Sequence, residues 1–158
     1  MNKLIGLLLV LFLSGTCSAQ LVKKLSIDEL DQYIKSAQKP MVLNFWASFC
    51  RPCVDELPYF MEAQQQYPEV ELVMVSLDLP AYYPDKVESF LRAKNFIGAT
   101  QFWLNETNAD SFCPRIDPSW DGAIPVTLWV NPAKGYRKFV HRSMTGAQVK
   151  LAYQELTR

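Results

Sequence analysis

Residues 41–47 form an apolar run that carries the aromatic pair Phe45 and Trp46, and three residues further on the chain reads Cys50-Arg51-Pro52-Cys53. An apolar run of this length has the pattern of a strand buried inside a sheet. Pro52 suits the first turn of a helix, where a missing N–H costs little. The stretch therefore predicts a strand, a tight turn and a helix, with two cysteines at the helix start. Unpaired amides and the helix dipole favour a thiolate there. Such a pair is a redox device in an oxidising compartment and can be half of a metal site in a reducing one.

The N-terminus points to the oxidising compartment. Lys3, the apolar residues 4–13 and the small residues 14–19 make a secretory signal peptide over residues 1–19, with cleavage after Ala19. The apolar run is too short to span a bilayer comfortably, so no transmembrane segment is expected in the mature chain. Cys17 offers a second reading as a lipid-anchored first residue, but Ser14 and Thr16 stand where that signal carries a large aliphatic residue and a Gly or Ala. Soluble export is the stronger reading. Residues 20–158 then form one domain, long enough for a sizeable core and too short for two. Its charge is near neutral, 16 basic residues balancing 16 acidic ones before Lys3 is lost. No global field would attract nucleic acid. Three of the four cysteines remain, too few for a disulfide scaffold.

Along the mature chain, residues 20–25 predict an edge strand, and Ser26 with Glu29 a capping box opening a helix on which Ile27, Leu30 and Ile34 share a face. Residues 70–77 predict a strand parallel to 41–47, joined to it through the cysteine-bearing helix. A helix follows over 85–94, then a short strand over 100–104 and a short helix over 108–113 ended by Pro114. The tract 105–123 is otherwise polar and turn-rich, with Trp120 either exposed for binding or folded back on the domain. Residues 126–130 and 136–141 predict an antiparallel hairpin, and Thr145 with Gln148 caps a final helix. These elements make an α/β domain.

Cys50, at the helix start, is the expected nucleophile, and Cys53, one turn in, the thiol that resolves a mixed disulfide. Arg51 adds a cation beside the thiolate, and Pro52 restricts the ring. Glu56 shares a helix face with Cys53. Taken by itself it reads as an ordinary exposed glutamate, although a desolvated carboxyl there could carry protons. Pro125 marks a strand start, with trans the expected isomer of the Ile124–Pro125 bond. Cys113 reads as a third redox partner, a regulatory thiol or, the commonest fate of a lone cysteine, a small buried side chain, and His141, the only histidine, as a strand residue facing solvent or its sheet neighbours.

The segment from Val42 through Asn44, Phe45, Trp46 and Cys50 to Cys53 resembles the active-site segment of the thioredoxin superfamily. Asn44, Glu56 and Leu57-Pro58 narrow the resemblance to the exported TlpA/ResA-like branch, and Gly122-Ala123-Ile124-Pro125-Val126-Thr127 resembles that family's cis-proline segment. The resemblance implies a thioredoxin-like fold, a central mixed β-sheet flanked by helices on both faces. It implies Cys50 as nucleophile, Cys53 as resolving cysteine, Glu56 as the acid beneath them and a cis Pro125. Ile124, Pro125, Trp46, Arg51 and Pro52 are the expected substrate-binding residues. It further implies a periplasmic thiol–disulfide oxidoreductase without a cofactor, acting as a reductant on disulfide-containing client proteins and fed by a membrane-bound thiol electron donor. A copper-delivery module of the same fold is the alternative, although such modules separate their cysteines by three residues and add a histidine. A thiol peroxidase would want threonine where Ala47 stands.

Overall fold

The computed structural model describes residues 20–158, so the predicted signal peptide and Cys17 lie outside the described residues. In chain order the elements are β1 (Lys23–Leu25), α1 (Ile27–Lys35), β2 (Met41–Trp46), α2 (Arg51–Gln66), β3 (Glu71–Ser76), α3 (Asp85–Ala93), β4 (Thr100–Leu104), α4 (Ala109–Ile116), β5 (Val126–Asn131), β6 (Tyr136–Val140) and α5 (Gly146–Thr157). The six strands form one sheet in the order β1-β4-β3-β2-β5-β6. β1, β4, β3 and β2 run parallel, whereas β5 pairs antiparallel with both β2 and β6. The sheet is mixed, as the resemblance implied.

The two-residue period of the strands divides the core into two layers. Val42 and Trp46 of β2, Leu72 and Met74 of β3 and Trp129 of β5 face α2, α3 and α5. Leu43, Phe45, Val73, Val75 and Leu128 face α1 and α4 on the other side. All six residues of β2 are buried, which is why the run is apolar throughout except at Asn44. Both predicted capping boxes form, Ser26 with Glu29 and Thr145 with Gln148.

The tract 105–123 differs from expectation in one element. α4 runs on through Pro114 to Ile116 instead of stopping before the proline. The extra turn lets Ile116 bury beside Phe112 and Cys113, and Arg115 reaches Asp28 of α1 at 2.7 Å. Trp120 is folded back: it is 4% exposed, with its ring against Phe45, Phe112 and Phe139, and its indole N–H donates to the Ala123 carbonyl at 2.9 Å. The tract is thus a lid of ordinary core on the α1 side of the sheet. Cys113 lies within it, buried and unpaired. Burial pushes its thiol up to about 11, so it stays protonated at neutral pH. His141 follows β6, exposed, with Nε2 at 3.0 Å from the Ser119 hydroxyl.

Because Trp120 joins three aromatic neighbours, Trp120→Ala should destabilise the domain by about 3–5 kcal/mol. Urea unfolding followed by circular dichroism measures this. A loss below about 1 kcal/mol would mean that the tract is loosely attached.

Candidate functional site

β2 ends at Trp46, the chain turns through Ala47, Ser48 and Phe49, and α2 begins with Cys50 as its N-cap residue. Cys50 and Cys53 are joined as a disulfide with their Cα atoms 5.3 Å apart. The Cys53 backbone N–H points at the Cys50 sulfur, 3.3 Å away. That amide belongs to the unpaired first turn of the helix, so in the reduced state it faces Cys50 and favours its thiolate. Cys50 is half-buried and Cys53 fully buried. An incoming sulfur can reach only the first.

The turn before Cys50 is held by Asp78, just past β3. Asp78 is buried, and its carboxylate accepts from the Ser48 amide at 3.1 Å, the Ser48 hydroxyl at 2.5 Å and the Ser76 hydroxyl at 2.7 Å. Asp78 belongs to no motif of the sequence. Its signal was a carboxylate two residues past the serine that closes a buried strand.

Ile124 and Pro125 come from the loop before β5, the strand next to β2, and meet the cysteines at the C-terminal end of β2. The Ile124 carbonyl oxygen lies 3.9 Å from Cys50 Sγ, and the Ile124–Pro125 bond is cis. The residue-level expectation of trans is therefore corrected. The local trans preference of an X–Pro bond is small, so tertiary context decides it. Arg51 and Pro52 are exposed beside Cys50. The Arg51 guanidinium is engaged at 2.9 Å by Asp55, one turn along α2, which offsets part of its field at the thiolate. Trp46 departs from expectation as a substrate-contacting residue. It is fully buried against Phe90 and supports the turn from below. The aromatic ring at the surface is Phe49, 62% exposed.

Phe49 also opens a groove of about 320 Å³ that continues from Ile124 past Leu79, Phe112 and Gly122, with Asp78 and Glu106 among its lining residues. Its walls come from the turn before Cys50, the segment after β3 and the tract 105–123. These three were separate features of the sequence.

Glu56 is not the exposed helix glutamate of the residue-level reading; it is 1% exposed. Oε1 accepts from Asn44 Nδ2 at 2.8 Å, and Oε2 accepts from the Met144 amide at 2.7 Å, in the segment before α5. Asn44 Nδ2 also donates to Thr127 Oγ1 at 3.1 Å. Asn44 and Thr127 are register partners on β2 and β5, so the sheet itself sets their distance. Desolvation pushes the Glu56 carboxyl above the usual range, and the hydrogen bonds from Met144, Asn44 and Ser143 pull against it without cancelling it. Asn44 was the visible signal, the one polar residue in the apolar run. Met144 contributes only its backbone and had none.

Comparison with known proteins agrees with this geometry. The AhpC/TSA family model matches residues 20–114, more than half of the chain. A 42-residue segment is 50% identical to the thiol-disulfide oxidoreductase ResA of Oceanobacillus iheyensis, covering 25% of this chain and 22% of that relative. The matched segments span under a third of the first ResA relatives. Among solved structures, StoA from Bacillus subtilis superposes with a TM-score of 0.53 at 28% identity, over 73% of this chain and 82% of that one. A secreted Mycobacterium tuberculosis disulfide oxidoreductase shares the fold with a TM-score of 0.58 at 23% identity, over 75% and 82% of the two chains.

A glutamate whose pKa is raised by folding binds more protons in the folded than in the unfolded state between its ordinary value, about 4.3, and its raised one. Its favourable contribution is complete below the ordinary value and is lost as pH rises through the raised one. Urea midpoints measured from pH 4 upward should fall across that window in the wild type, and Glu56→Gln should flatten the fall. An identical slope in the variant would mean that Glu56 titrates normally.

Proposed function

We propose that this chain, which belongs to the AhpC/TSA family and is a TlpA/ResA-like member of the thioredoxin superfamily, is an exported thiol–disulfide oxidoreductase that reduces disulfides of client proteins. The observation that carries the reading is the unequal exposure of the two cysteines, Cys50 half-buried at a helix N-terminus and Cys53 sealed beneath it. That asymmetry separates an attacking from a resolving sulfur.

The reaction follows from the arrangement. The Cys50 thiolate attacks one sulfur of a client disulfide; the Cys50–client S–S bond forms, the client S–S bond breaks, and the first client sulfur leaves as a thiolate. Cys53 then gives its proton to the Glu56 carboxylate and attacks Cys50 Sγ. The Cys50–Cys53 bond forms, the bond to the client breaks, and the second client sulfur leaves with the proton that Glu56 returns. Two electrons pass from the dithiol to the client. The Ile124 carbonyl offers the client backbone an acceptor beside Cys50, Arg51 and Pro52 border the approach, and the groove behind Phe49 receives apolar side chains flanking the client cysteine.

Export rests on the predicted signal peptide, with the periplasm as the destination. Among the described residues no helix is long and apolar enough to cross a membrane. A membrane-bound thiol donor restores the dithiol by the reverse exchange. The copper-delivery alternative has no particular observation in its favour. Among the described residues no three His, Cys, Asp or Glu side chains converge as a metal-holding group.

Two measurements test the reading. Cys50→Ser should abolish reduction of insulin disulfides, lowering the rate by at least about a hundredfold, whereas Cys53→Ser should trap a mixed disulfide with the client. Equilibration of the Cys50/Cys53 couple against glutathione should give a potential near thioredoxin's, about −270 mV. A value near about −120 mV, that of a strong oxidant, would reverse the direction of electron flow.

A further inference from the structure

The groove behind Phe49 carries a charge pattern that the exchange chemistry does not use. It adjoins the reacting sulfur, because Phe49 precedes Cys50 in the chain and the Ile124 carbonyl oxygen lies 3.9 Å from Cys50 Sγ. Phe49 and Leu79 stand out into solvent, 62% and 58% exposed, and Phe112 is buried within the wall. Large apolar side chains held open beside a nucleophile form a surface that gains by being covered.

The wall made by the tract 105–123 is acidic. Glu106 lines the groove directly. Asp110 follows Ala109 and Asp121 precedes Gly122, and Ala109 and Gly122 are both lining residues. Those two meet closely: a Cβ on Gly122, whose φ is +93°, would stand 3.3 Å from Ala109 Cβ. The contact brings Asp110 and Asp121 together at the rim, where both are exposed. The neighbouring Cys113 thiol, raised first by burial, is raised further by the charges of Asp121 and Asp110.

No cation in that wall offsets these charges. The tract contains no lysine and one arginine, Arg115. Arg115 is turned towards α1, 2.7 Å from Asp28 and 3.6 Å from Asp31. Asp78, the other carboxylate of the groove, is occupied by the Ser48 and Ser76 donors. Glu106 gives only Oε1 to the protein, accepting from the Ile27 amide at 3.0 Å, and among the described residues its Oε2 takes no hydrogen bond. Arg51 is not part of the groove and is bonded to Asp55. In a chain whose charges balance 16 to 16, the acidic rim is a local field, felt over a Debye length of about 8 Å at physiological salt.

We propose that the groove selects clients whose reacting cysteine is flanked by an apolar side chain and, within a few residues, by a lysine or arginine, with Glu106 as the specificity-determining residue. The apolar side chain covers Phe49, Leu79 and Phe112, and the cation meets the free oxygen of Glu106 at the acidic rim. An acidic flank is rejected by the same charges. The proposal rests on the reading of the chain as a reductant of client disulfides and names the class of client.

The test uses the full domain in its dithiol form. Peptides of one length carry a single cysteine as its mixed disulfide with 2-mercaptoethanol, a leucine beside it, and Lys, Gln or Glu placed two to four residues away on either side. Second-order rate constants for release of the peptide thiol are measured at low and high salt. At the best position the Lys peptide should react about three- to fivefold faster than the Gln peptide at low salt, the size of a solvent-accessible ion pair. The Glu peptide should be slowest, and the differences should shrink as salt rises. Glu106→Gln keeps an oxygen for the Ile27 amide and removes only the charge, so in that variant the Lys-to-Gln ratio should fall towards one. Equal rates for the Lys and Gln peptides at every position would overturn the proposal. So would a Lys advantage that persists when the lysine is moved about ten residues away, or one undiminished in folded Glu106→Gln. The wild-type series decides the matter even if that variant does not fold. None of these results touches the reading as a reductant, which would fall, and this proposal with it, if none of the peptides were reduced.

Discussion

A carboxyl group buried one turn below a cysteine ties the molecule together. Glu56 brings α2 onto β2, and through Asn44 and Met144 it joins α2 to β2, to Thr127 of β5 and to the segment that launches α5. An isolated charge in such a place would be expensive. Here both carboxylate oxygens have donors, and the price that remains appears as an elevated proton affinity. The same expense that would weaken a purely structural glutamate is what would suit this one to taking up and releasing a proton.

The rest of the site follows from how the sheet is wound. β2 lies between β3 and β5, so its C-terminal end meets both the segment after β3 and the loop before β5. The first supplies Asp78, which fixes the turn ahead of Cys50. The second supplies Ile124, whose carbonyl stands beside the Cys50 sulfur. The tract 105–123 closes the groove from the α1 side, and its aromatic core of Phe112 and Trp120 keeps that wall in place. A surface cysteine is thus set in a frame of rigid elements, with the mobile chemistry confined to sulfur and proton.

The fold was legible because its signals are local and repeated. Two capping boxes, an apolar run and strand-length periodicities placed every helix and strand to within a few residues. Pro114 misled because proline is read as a helix stop, while the burial of Ile116 two residues further on outweighed it. The site was legible where chemistry is written in a motif, at Cys50 and Cys53. Where burial decides, the residues alone did not speak: Glu56 and Asp55 look alike in sequence and only the family resemblance set Glu56 apart, yet Glu56 is buried and Asp55 bonds Arg51 in solvent. Trp46 was expected both within a buried strand and among the substrate-binding residues; it is buried, and the exposed aromatic beside Cys50 is Phe49. The Met144 amide has no side-chain signature at all, because a backbone donor is identified only by where the chain passes.

The central claim is that Glu56 exchanges its proton in step with the redox state of the cysteine pair. The pH dependence of the Cys50/Cys53 reduction potential, measured for the wild type and for Glu56→Gln, tests it directly. A carboxyl coupled to Cys53 must have different proton affinities in the disulfide and dithiol states, so the wild-type curve should bend at both values and the variant should lose those bends. Superimposable curves would contradict the account and leave Glu56 a buried structural residue.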